Sequence, residues 1–88
     1  MPDSIADLPN LGPKSCEMLQ QAGILTATEL RRVGAVEAYI LVQRSGAEPT
    51  LNLLWALEGA LRDVPWQEIA GAERRRLLDE LHAKRSHR

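Results

Sequence analysis

Apolar side chains recur along this chain at intervals of three and four, and the interruptions carry helix-terminus signals rather than strand signals. The pattern predicts an all-α protein. Asp3 or Ser4 is placed to cap a short first segment through Asp7, and Pro9 ends it. Leu8 to Gly12 reads as a tight turn, and Pro13 suits a first helical position because its missing N–H would be unpaired there anyway. The helix from Pro13 to Ala22 stops at Gly23, which admits the left-handed conformation and lets Ile24 fold back on Leu19 in a Schellman cap. Thr26 and Glu29 have capping-box spacing and open a short helix through Val33, closed at Gly34.

A helix from Ala35 to Ser45 follows, with Val36, Tyr39 and Ile40 on one face, although Tyr39 to Val42 alone would also suit a buried strand. Pro49 is expected to open a longer helix to about Arg62. Its Leu53, Leu54, Leu57, Ala60 and Leu61 share one face, while Leu51 and Trp55 form a second flank. Gly59 inside it costs about 1 kcal/mol relative to alanine, a cost that close approach of a neighbouring helix would explain. Val64-Pro65-Trp66 breaks the chain, Trp66 and Ile69 tuck a short turn against the core, and Gly71 precedes a last helix from about Ala72 to Lys84. The apolar side of that helix is expected to be Leu77, Leu78 and Leu81. The whole predicts one domain over 1–88, a bundle of about five helices with 51–61 as its central strut and a flexible polar tail over 84–88.

Composition narrows the function classes. With 88 residues and no Phe, the core must be modest and aliphatic, anchored by Trp55 and Trp66. A formal charge of -1 and a pI near 6.1 are far from the strongly basic balance of a dedicated duplex-binding domain. One cysteine excludes an intramolecular disulfide, and with only His82 and His87 beside it no structural zinc spacing exists. Cys16 shares the inward face with Leu19 and reads as buried. No metal or other cofactor is expected. No apolar run is long enough to span a bilayer and Met1-Pro2-Asp3 has no signal-peptide character, so a cytoplasmic location without membrane contact is the expectation.

Leu8 to Ser15 is the stretch that could carry chemistry, because a tight turn entering a helix leaves amides and the positive dipole end free for an anion. Lys14 adds a point charge and Ser15 a hydroxyl. No Gly-x-x-x-x-Gly cradle precedes Lys14, which excludes a nucleotide P-loop. The competing reading is structural, with Leu8 and Leu11 plugging the core while glycine turns the chain. Near the C-terminus, Arg74, Arg75, Arg76, Lys84, Arg85 and Arg88 outnumber Asp79 and Glu80; this is either a second basic surface or a solvated helix with Arg75–Asp79 and Arg76–Glu80 pairs. Paired carboxylates, a triad and a metal cluster are all missing, so a binding module is expected and not an enzyme.

Leu8-Pro9-Asn10-Leu11-Gly12-Pro13-Lys14-Ser15, followed by Leu19 and Ala22-Gly23-Ile24, resembles a helix-hairpin-helix motif, and the same stretch extended by Thr26 and Glu29-Leu30 is also similar to the C-terminal domain of the bacterial RNA polymerase alpha subunit. Adding the run Leu51-Asn52-Leu53-Leu54-Trp55-Ala56-Leu57-Glu58-Gly59-Ala60-Leu61 and Trp66-Gln67-Glu68, the chain more closely resembles the C-terminal domain of TfoX/Sxy proteins, regulators of bacterial competence and DNA-uptake genes. Full-length members of that family carry a separate N-terminal domain, so the resemblance implies a stand-alone form. It also implies backbone amides of Asn10, Leu11 and Gly12, with Lys14 and Ser15, on a nucleic-acid phosphate, helped by Arg31 and Arg32. Asn10 stands where the hairpin motif usually has its first glycine. The partners so implied are DNA, held weakly and without sequence preference, or transcription proteins. The alternative is a protein-interaction or homo-oligomerisation module in which the hairpin is structural and Trp55 meets a partner chain.

Overall fold

The computed structural model describes residues 4–86, and these form four α-helices with two short 3-10 turns. A 3-10 turn at Ile5–Asp7 precedes α1 (Pro13–Gln21), α2 (Ala27–Arg44) and α3 (Leu51–Arg62); a second at Trp66–Glu68 leads into α4 (Gly71–Ser86). An isolated antiparallel bridge between Ser4 and Thr26 ties the start of the described chain to the start of α2. No strand occurs among the described residues, so Tyr39 to Val42 is helical.

Local signals specify most of these boundaries. Ser4 caps the first turn by accepting from Ala6 N, and the other candidate, Asp3, lies outside the described residues. At the end of α1, Ile24 N donates to Leu19 O at 2.9 Å and Gly23 N to Gln20 O at 3.0 Å, the paired bonds of a Schellman cap. Ile24 and Leu19 are both buried. Thr26 Oγ1 accepts from Glu29 N at 3.1 Å, and the Glu29 carboxylate reaches back to Leu25 N, also at 3.1 Å, one residue before the amide a capping box would use.

Three expectations about the helices are corrected. The helices on either side of Gly34 run on without a linker as one element, so the bundle has four helices rather than about five, while the expected break at Gly34 is present as a kink. Gly34 takes φ 85, ψ 166, a conformation essentially reserved for glycine, and the second arm resumes at once with buried Ala35 and Val36. Pro49 does not open α3, which begins at Leu51 with Thr50 as N-cap. The Tyr39 hydroxyl donates to Pro49 O at 3.1 Å and holds the proline in the linker. Leu78 does not face the core but is 38% exposed. The inward stripe of α4 instead runs through half-buried Arg74, buried Leu77 and Leu81, and half-buried Lys84, whose long stems cover apolar surface.

α3 is the central strut. Leu53, Leu54, Trp55, Ala56, Leu57, Gly59 and Ala60 are all buried, against α2 and the second 3-10 turn. Leu51 departs from this and is 43% exposed. Trp55 anchors the core as anticipated, whereas Trp66 is only half-buried and Ile69 takes the buried place beside it. Gly59 is indeed a packing glycine, but a loop approaches it and not a helix: a Cβ there would lie 2.6 Å from Asn10 Nδ2 and 2.8 Å from Val64 O. The polar tail is helical as far as Ser86, and His87 and Arg88 lie outside the described residues.

Candidate nucleic-acid interface

The turn from Leu8 to Gly12 is held from within the protein. Leu8 is extended, as a residue before proline must be, and it ends the first 3-10 turn after three residues. The helix on that side of a helix-hairpin-helix is therefore reduced to a single turn among the described residues. Asn10 then takes φ 72, a left-handed conformation that Asn tolerates better than most residues. Its side chain bridges to the loop after α3, Nδ2 donating to Val64 O at 2.8 Å and Oδ1 accepting from Trp66 N at 3.1 Å. Leu11 is buried in the core, and its carbonyl lies 3.9 Å from the buried Cys16 thiol.

Gly12 is the N-cap of α1 and offers no side chain to the helix end. The first helical bond runs from Cys16 N to Gly12 O at 3.0 Å, and Pro13 has no N–H. The amides of Lys14 and Ser15 thus stand outside the helical ladder at the positive end of the dipole. Their side chains line an open cleft of about 370 Å³. Asn10 and Trp66 form one wall, Glu48 to Thr50 the linker side, and Asn52 the first turn of α3. Lys14 is exposed and has no carboxylate within ion-pair distance among the described residues. Glu48 shares the cleft and reduces its positive potential.

The remaining sequence-predicted residues are not gathered there. Arg31 lines a second cleft with Asp7 and Asp63, and exposed Arg32 lines neither. Trp55 is buried, with the Arg74 guanidinium 5.2 Å from its ring centroid and 5.9 Å from that of Trp66. Basic α4 is partly neutralised: Arg76 pairs with Glu73 at 3.1 Å, Glu58 at 3.3 Å and Glu80 at 3.5 Å, while Arg62 pairs with Glu58 and Glu73. Hydrogen bonding from Arg76, together with Arg62, holds the Glu73 carboxyl below its ordinary pKa. The expected Arg76–Glu80 pair is present and the Arg75–Asp79 pair is not.

The model of the TfoX C-terminal domain matches residues 1–81. The chain belongs to the TfoX C-terminal domain family. It is 37% identical over 78 residues to the DNA transformation protein TfoX of Haemophilus influenzae, a match covering 89% of this chain and 36% of that protein. It therefore spans about a third of the length of the curated relative it matches. A crystal structure of an uncharacterized protein from Listeria monocytogenes superposes with a TM-score of 0.81 at 30% identity, covering 92% of each chain.

Within this TfoX C-terminal domain, sequence reasoning missed the structural employment of Asn10, the contribution of Glu48, Thr50 and Asn52 to the cleft, and the stacking of Arg74 on the two tryptophans. An asparagine in a glycine's customary place was the signal for the first. Its partners are more than fifty residues away, beyond the reach of local pattern. No group of three or more His, Cys, Asp or Glu able to hold a metal occurs among the described residues. No described helix is long and apolar enough to cross a membrane.

Proposed function

We propose that this domain is a non-enzymatic regulatory module of the cytoplasm that engages nucleic-acid backbone weakly, in competence-type gene regulation. The observation that carries the reading is the start of α1, where the unused amides of Lys14 and Ser15 and both their side chains border one open cleft. The name of the Haemophilus influenzae relative, a DNA transformation protein, supports it. Gly12 lets a phosphate approach the helix end, Lys14 supplies the charge, and Asn10 positions the turn through its bonds to Val64 and Trp66. The transcription machinery is the protein partner that such a regulator would meet.

One such contact, or two with Arg31 and Arg32, gives a salt slope of only about -0.9 per phosphate. Fluorescence anisotropy with labelled duplex DNA at low salt should show binding that weakens with added salt, and Lys14→Ala should flatten the slope by about one contact. Absence of binding up to high micromolar protein overturns the proposal. A protein-interaction role is the second reading, favoured by the exposure of Leu78 beside the groove that Trp55 lines.

A further inference from the structure

The three consecutive arginines of α4 are treated differently by the fold. Arg76 is saturated by Glu58, Glu73 and Glu80. Arg74 and Arg75 have no carboxylate within ion-pair distance among the described residues. They border a groove of about 650 Å³ with Trp55, Gly71, Leu78 and Asp79. Positions 74, 75, 78 and 79 are separated by three and four, so they share one side of the helix.

Arg74 is fixed in place. Its Nε donates to Ile69 O at 3.1 Å, and its guanidinium lies against the rings of Trp55 and Trp66. A guanidinium carries five N–H donors in a rigid fork, so its terminal nitrogens keep the geometry for a bidentate carboxylate. Leu78, one turn further along and 38% exposed, offers apolar surface beside that fork. The single acid, Asp79, leaves the groove with a positive excess over an apolar floor.

We propose that this groove docks an acidic amphipathic segment of a protein partner, which sets an aliphatic side chain against Leu78 at the rim of the Trp55–Arg74 stack and a carboxylate on Arg74 and Arg75. The proposal rests on the protein-interaction reading and is independent of the turn at Lys14. Charge complementarity selects the occupant. A nucleic acid would meet the Asp79 carboxylate and an apolar floor with no row of cations, and a second copy related by two-fold symmetry would bring one net-positive groove against another.

The test is selection of a displayed library of random peptides of about twelve residues on the intact protein, followed by titration of the best synthetic peptide by tryptophan fluorescence. Enriched sequences should be net negative, with Asp or Glu one helical turn from Leu, Ile, Met or Phe. Arg75→Glu and Leu78→Ser, both at exposed positions, should each weaken the peptide by about tenfold or more at unchanged thermal stability, with Lys14→Ala binding as wild type. Failure to enrich any sequence, enrichment without acidic excess, or wild-type affinity in both groove variants overturns the proposal. It is likewise overturned by self-association that Leu78→Ser abolishes, or by duplex DNA binding that Arg75→Glu removes and Lys14→Ala does not.

Discussion

Replacing Gly59 by alanine opposes two effects of different sign. In an exposed helix the change stabilises by about 1 kcal/mol through backbone entropy alone. Here the new methyl would lie 2.6 Å from Asn10 Nδ2, 2.8 Å from Val64 O and 3.3 Å from Trp66 Cα. Neither near neighbour is free to yield. Val64 N donates to Gly59 O at 2.9 Å, Val64 O accepts from Asn10, and Asn10 also holds Trp66 N. Relief requires breaking one or both Asn10 bonds, each contributing about 0.5–1.5 kcal/mol, in addition to the usual overpacking penalty of about 1–3 kcal/mol. Setting these against the helix gain leaves Gly59→Ala destabilising by about 0.5–5 kcal/mol, seen as a lower urea midpoint with unchanged slope. Asn10→Gly keeps the left-handed φ and removes the obstructing amide, so in that background the Gly59→Ala penalty should shrink by about 1 kcal/mol. A Gly59→Ala protein more stable than wild type, or strictly additive double-variant energies, would refute the reasoning.

Gly34→Ala should destabilise by about 1–3 kcal/mol although a Cβ there meets nothing, because the penalty lies in φ 85, ψ 166 alone; a thermal melt at or above the wild-type midpoint contradicts this. Tyr39 is buried at the α2–α3 linker, and desolvation raises its pKa above the ordinary 10.0 against the opposing field of Arg85. The folded state therefore holds the phenolic proton more tightly than the unfolded chain. Its contribution is complete below pH 10.0 and is lost as pH rises through the folded pKa. Urea midpoints of wild type and Tyr39→Phe should converge above that pH, and parallel curves would show that Tyr39 does not contribute to the slope.

The features legible in the sequence are those whose partners lie within one turn. Gly23 with Ile24 and Thr26 with Glu29 announced a C-cap and an N-cap because both motifs close over three to five residues. Pro49 misled for the opposite reason: what keeps it out of α3 is a hydroxyl ten residues earlier. Leu78 misled because periodicity counts apolar letters, whereas α4 turns Arg74 and Lys84 inward by their stems. Arg74 covers Trp55, and Lys84 pairs with Glu37 at 3.9 Å. At the turn, the residues were legible and their division of labour was not. The resemblance implied a role for the backbone amide of Asn10, whereas its side-chain amide is committed to the loop after α3, and only contacts across the fold reveal that.

That division of labour bears on how strongly the domain can hold a polyanion. A net charge of -1 is compatible with a basic face only if cations are segregated from acids, and in this fold many are not. Arg62 and Arg76 are bound to Glu58 and Glu73, and Arg31 lines its cleft with Asp7 and Asp63. Lys14 is free of ion pairs among the described residues but shares its cleft with Glu48. With one or two phosphates neutralised, raising salt from about 50 to about 200 mM weakens binding only about 3- to 12-fold, against about a thousandfold or more for a protein making six or more contacts. The proposed contact with nucleic acid would thus be shallow in both affinity and salt dependence. A regulator built on it must draw its selectivity from a second contact, because backbone charge at this density cannot distinguish one site from another.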